Sequence, residues 1–160
     1  INNYNLDKFP AVYRNAYKEM FERIKSDGFL YAVDDSPERP FSITDSNILL
    51  IPGSENEDTG TSCMVKYGSS VLQVMIYCTD KNIYGSAASQ KSYIENRTSL
   101  KFSNVYHIGD NDVYAGLSGT LEYAASFIDD EHYCVIITTG YRPDILDFAE
   151  SSPFIKINLQ

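Results

Sequence analysis

The chain has no tryptophan, only two histidines and only three cysteines. Acid–base work near neutral pH most often uses histidine, and nucleophilic work needs Ser, Cys or Thr with a base beside it. Neither arrangement occurs here at a recognisable spacing. Basic residues are also scarce, with 13 Lys and Arg against 22 Asp and Glu and a net charge of −9. That balance excludes the Lys/Arg stripe a phosphate backbone or an anionic bilayer demands, so no nucleic-acid partner is expected. No apolar run approaches the ~20 residues that cross a bilayer, so this segment is not expected to insert directly into a membrane. A phosphate-cradling glycine pattern, zinc-ligand spacing and a nucleophile elbow are all missing as well. The sequence therefore nominates no catalytic residue, no cofactor-binding residue and no metal ligand.

What is present describes a folded domain. The 160 residues are 43% hydrophobic, which suits one domain over 1–160 with a real core. Phe9, Val12, Tyr13, Ala16, Tyr17, Met20, Phe21 and Ile24 form one helical face, predicting a long N-terminal helix over about 8–27. Asp7 is placed to cap it, Pro10 suits its first turn and Gly28 stops it. Its apolar face is expected to pack on a sheet.

From residue 29 to 155 the period changes to two. Strands are predicted at Phe29 to Val33, Phe41 to Thr44 and Asn47 to Ile51, with Asp45-Ser46 interrupting the last two. Pro52 to Gly60 reads as a polar, acidic loop. Thr61 to Tyr67 and Ser70 to Thr79 read as a hairpin. A short helix is expected at Ser86 to Asn96, capped by Ser86. A meander follows through Val105 to Ile108, Val113 to Leu117, Thr120 to Ile128 and His132 to Thr139. Asp144 to Glu150 is a short closing helix with Pro143 just before its start. The expected fold class is thus α+β: an antiparallel sheet of hairpins and a C-terminal meander, covered by the long N-terminal helix and two shorter ones.

The cysteines are expected to be buried and structural. A tight turn at Gly68-Ser69-Ser70 would place Cys63 near Met75, three places from Cys78. At ~3.3 Å per residue this exceeds the ~5.5 Å Cα separation of a disulfide. A Cys63–Cys134 or Cys78–Cys134 bridge remains an alternative. His132 and Cys134, two apart in a strand, share a face and are close enough to touch, but a mid-strand thiol in an apolar run lacks the electropositive setting of a reactive one.

Asp110-Asn111-Asp112 invites comparison with a calcium loop, which needs Gly at its sixth place and Glu at its twelfth. Ala115 and Leu121 stand there, so a hairpin turn fits better. Asp129-Asp130-Glu131 reads as another solvated turn, and the two could share an ion only if both lie at one sheet end. Asn96-Arg97-Thr98 matches a glycosylation sequon. The 13 tyrosines suit either half-buried sheet positions or a recognition surface.

The element order carries one resemblance. A strand pair ending Val71-Leu72-Gln73-Val74-Met75-Ile76-Tyr77 precedes a helix at Ser86-Ala87-Ala88-Ser89-Gln90-Lys91-Ser92-Tyr93-Ile94-Glu95. A meander from Tyr123 to Thr139 then leads to Asp147-Phe148-Ala149-Glu150-Ser151-Ser152-Pro153-Phe154. Over residues 41 to 155 this resembles the PsbP-like antiparallel α/β sandwiches and small lipoprotein domains on Gram-positive bacteria. The resemblance implies a cell-surface or periplasm-type binding module and carries over no catalytic residue. With Ile1 in place of an initiating Met, it sets the expectation of an extracytoplasmic location, reached through a missing signal peptide or lipoprotein leader, although a cloning choice also explains Ile1. The expected function is a noncatalytic binding or interaction domain for a protein or small molecule. The alternatives are a hydrolase-type enzyme with a carboxylate/Tyr site and a metal-stabilised structural module.

Overall fold

The computed structural model describes residues 29–50, 59–78 and 87–158. The helix expected over 8–27 lies outside these residues. Nine strands and two helices are described, in the order β1 (Phe29–Val33), β2 (Phe41–Leu50), β3 (Thr59–Tyr67), β4 (Ser70–Cys78), α1 (Ala87–Thr98), β5 (Asn104–Ile108), β6 (Asn111–Ser118), β7 (Leu121–Asp129), β8 (His132–Thr138), α2 (Arg142–Glu150) and β9 (Phe154–Asn158).

This corrects the α+β expectation: the fold is mostly β, with one seven-stranded antiparallel sheet and a two-stranded ribbon. The reason lies in strand length. Asp45-Ser46 does not end a strand but marks a register shift between Thr44 and Asn47 inside a ten-residue β2. Thr59 and Gly60 belong to β3 and not to a loop. Phe154–Asn158 adds a strand not anticipated at all. Pro143 lies inside the first turn of α2, with Tyr141 at the N-cap, and not before the helix.

The large sheet runs β2-β3-β4-β8-β7-β6-β5, and among the described strands β1 pairs only with β9. The central strand β8 reads His-Tyr-Cys-Val-Ile-Ile-Thr and is buried along nearly its whole length. A continuous apolar run of this kind is what a strand covered on both faces requires. On one face Leu72, Val74, Ala124 and Ile136 pack with Ile145 and Phe148 of α2 and Val33 of β1. On the other, Tyr77, Tyr114, Tyr123, Phe127 and Tyr133 pack with Ile94 of α1 and Phe102. Tyr77 stacks on Tyr133 at 5.1 Å between ring centroids, and Tyr93 meets Tyr133 edge-on at 5.9 Å. Four tyrosines are thus buried sheet filler, while Tyr141 is exposed.

The hairpin turn between β3 and β4 has two residues, Gly68 and Ser69, because Tyr67 pairs with Ser70. Cys63 therefore faces Val74, one place from the predicted partner. Cys134 lies on β8 with β4 between it and Cys63. Two strand spacings are roughly 10 Å, beyond disulfide reach. Cys78 is the partner of His132, so Cys134 is its diagonal neighbour, roughly 7–8 Å off. None of the three is in a disulfide, and all are buried. Thiol-blocking mass spectrometry without reductant is expected to label all three after unfolding. Recovery of any linked cysteine peptide would show the strand register to be wrong.

The ribbon is locked to the end of α2. Asp34 N–H donates to Pro153 O at 2.7 Å. Arg39 pairs with Asp34 at 2.9 Å and donates to Ser151 O and Ser152 O at 2.7 and 3.0 Å. The Ser36 hydroxyl, chiefly, and Arg39 hold the Asp34 carboxyl down at about 2. Its ordinary unfolded value is about 3.9. A folded pKa below the unfolded one stabilises above pH about 4 and loses that contribution as pH falls toward about 2. Acid unfolding followed by circular dichroism is expected to show this loss, with a shallower slope in Asp34→Asn. An unchanged slope would remove Asp34 from the acid response.

Candidate functional site

The turns after β5 and after β7 lie at the same end of the sheet. Gly109 takes φ 61°, the left-handed conformation this tight turn needs. Together with Gln90 of α1, Asp110, Asn111, Asp112, Asp129 and Asp130 line an acidic bowl of about 370 Å³. Two of the carboxylates are already engaged, since His107 Nδ1 bonds Asp112 Oδ1 across the hairpin and Asp129 belongs to the network described next. Among the described residues, no group of three or more His, Cys, Asp or Glu is placed to hold a metal ion.

Asp129 owes its position to a β-bulge. The β7–β8 register shifts between Phe127 and Asp129, so Asp129 pairs with His132. Bulges re-aim side chains, and this one brings the carboxylate to the face that holds the imidazole. His132 Nδ1 lies 2.8 Å from Asp129 Oδ1, and Tyr31 OH donates to Asp129 Oδ2 at 3.0 Å. The His132 ring is buried against Phe29 and Tyr31 of the ribbon, at centroid distances of 5.3 and 4.9 Å. Lys156 Nζ lies 4.6 Å from the Phe29 ring centroid. Burial pushes the Tyr31 phenol up to about 12, with the Asp129 charge adding to it. Burial also opposes ionisation of Asp129, yet donors from Glu131 N–H, His132 and Tyr31 outweigh it and hold the carboxyl below its ordinary value.

Cys134 does not join His132. Its Sγ lies 3.5 Å from Ser126 Oγ, and burial raises its pKa. Burial likewise lifts Cys63 to about 11. Protonated thiols are poor nucleophiles. Among the described residues, each shifted group, from Asp34 to Tyr31, Cys63 and Tyr114, moves away from neutrality and not toward it. A tuned general acid or base would show the reverse.

Beside the bowl is a cleft of about 150 Å³ between the β6–β7 face and the end of α2. Val113, Ile108, Ile128, Ala149 and Phe154 supply apolar wall, and Asn111, Ser126 and Ser152 supply polar groups. Ser152 takes φ 49° as the chain leaves α2 for β9, and Phe154 then packs edge-on against Phe148 beside the cleft. Bowl and cleft share Asn111, Phe127 and Ile128. Sequence reasoning did not find this cleft. It did raise the possibility of two acidic turns at one end, and the meander decides it: the first and third turns of an up-and-down series must coincide.

The chain matches no family model, no curated protein and no solved structure. Among the described residues, no helix is long and apolar enough to cross a membrane.

Proposed function

We propose that this chain is a noncatalytic, extracytoplasmic binding domain whose ligand site is the cleft between β6–β7 and α2. The observation that carries the reading is the cleft itself: apolar walls with a few orienting polar groups, Asn111 and Ser126. That is the composition binding requires. A void near 150 Å³ accommodates a group about the size of benzene. Among the described residues, the shift of every perturbed titratable group away from neutrality supports binding over chemistry. The carboxylate–tyrosine alternative has one hydrogen-bonded candidate pair among the described residues, Tyr31 and Asp129. Both are tied to the His132 network that fastens the ribbon to the sheet. The extracytoplasmic placement rests on the resemblance to cell-surface domains.

Benzene-sized aromatic and aliphatic fragments, titrated into labelled protein, are expected to perturb resonances of Ile108, Asn111, Ser126, Ile128 and Ala149. Ala149→Leu, which fills the cleft from a half-buried helix position, is expected to weaken that binding about tenfold with the fold intact. Shifts confined to other surfaces, or affinity indifferent to Ala149→Leu, would refute this site.

A further inference from the structure

We propose that the occupant of this region is an extended polypeptide segment that adds to the outer edge of β5 as an eighth strand, with a basic residue at its N-terminal end. The proposal rests on the binding reading above and commits it to a partner class. Among the described residues, β5 is the last strand of the large sheet and pairs only with β6. Such an edge presents unpaired N–H and C=O groups to whatever approaches. Edge strands usually carry a device against pairing: a bulge, a proline or a lysine. The opposite edge, β2, has its register shift at Thr44/Asn47. β5 reads Asn-Val-Tyr-His-Ile, pairs with β6 without interruption and contains neither Lys nor Pro. Of its two ionisable side chains, His107 is tied to Asp112 and Tyr106 OH to Arg142. Val105 is 46% exposed.

The surroundings of the edge say what would pair with it. Tyr106 and Ile108 lie on the face that carries the cleft, and Ile108 is one of its walls. A strand laid on β5 extends that same face, with alternate side chains beside Tyr106 and Ile108. Charge is graded along the edge. Asp110, Asp112, Asp129 and Asp130 gather at the Ile108 end. At the other end Arg142, neutralised by its ion pair with Glu122 at 2.8 Å, reaches Asn104 Oδ1 at 3.2 Å and Tyr106 OH at 3.4 Å, so that end carries no matching excess of negative charge. Every pair in the sheet is antiparallel, and an antiparallel addition sets the N-terminus of the new strand at the Ile108 end. A basic residue there meets the carboxylates, whereas an acidic one meets repulsion.

The test titrates isotope-labelled protein with a capped peptide, lysine first and then alternating valine and threonine over the length of β5. Saturable shifts and slowed amide exchange are expected at residues 104–108. N-methylation of alternate peptide amides, which leaves the side chains in place, is expected to weaken binding about tenfold. Replacing the lysine by glutamate should cost several-fold, and that difference should fade at roughly 1 M salt. Equal binding of the N-methylated peptide, or no response at 104–108, would overturn strand addition. If fragments still occupy the cleft in that case, the binding reading stands alone, and if neither binds, both fall. Concentration-dependent protection of 104–108 without peptide would identify a second copy of the chain as the occupant and overturn the basic segment.

Discussion

Phe148→Ala is expected to lower stability by about 3–5 kcal/mol. The side chain is fully buried, and the structure uses it as a joint between otherwise separate pieces. From α2 its ring meets Phe41 of β2 at 5.2 Å, Tyr67 of β3 at 6.0 Å and Phe154 of β9 at 6.2 Å between centroids. Truncation therefore loses both the transfer free energy of the ring and the packing of three others around a void. Partial collapse is resisted because two of those rings sit on hydrogen-bonded strands of the large sheet and the third on the ribbon. Urea unfolding would read the loss directly, with the denaturant dependence unchanged if only the native state is affected. Leu146→Ala, on the same helix but only half-buried, serves as the comparison and should cost clearly less. A loss below about 1 kcal/mol for Phe148→Ala would mean that α2 is not anchored as described.

Gly60→Ala is expected to cost about 3 kcal/mol, near the upper end for overpacking. Gly60 pairs with Tyr77, and a Cβ built on it would lie 1.5 Å from the Ile76 carbonyl oxygen. That obstacle is backbone of the neighbouring strand β4, so no side-chain rotation relieves it. Either β3 moves off β4 locally or the pairing ends early. Hydrogen exchange should show the damage as faster exchange at residues 59–63 and 74–78, with the Tyr67–Ser70 hairpin end unaffected. Unchanged exchange and unchanged stability would show that the two backbones do not approach this closely. Glycine here serves close approach within a strand, which explains why a sequence reading takes it for the end of a loop.

Local signals located most strands, and non-local pairing decided what they could not. Phe29 to Val33 and the Tyr67–Ser70 hairpin announce themselves through alternation bounded by turn residues. Asp45-Ser46 carries the composition of a break, yet strand pairing on both sides absorbs it as a register shift. β9 has a period-two pattern in Ile155, Lys156 and Ile157, but its partner β1 lies at the far end of the described chain and no turn links them. The candidate site divides in the same way. Two acidic turns at one end follow from the meander. The Asp129–His132 contact depends on a bulge, and the placement of Cys78 opposite His132 depends on the β4–β8 register. Neither leaves a local mark in sequence.

The β1–β9 ribbon also orders events in time. Its partners are separated by nearly the whole described chain, whereas the strands of the meander meet across turns of two residues. Closing a long loop costs entropy that a short hairpin never meets, so the ribbon forms after the sheet it leans on. The reverse process starts there too. A transient opening that frees Phe29 and Tyr31 from His132 need not disturb β8, because among the described residues the ribbon's strand hydrogen bonds run only between its own two members. His132 would then meet water for the lifetime of that opening, which makes the exchange of its backbone and ring protons a clock for the ribbon and not for the whole fold.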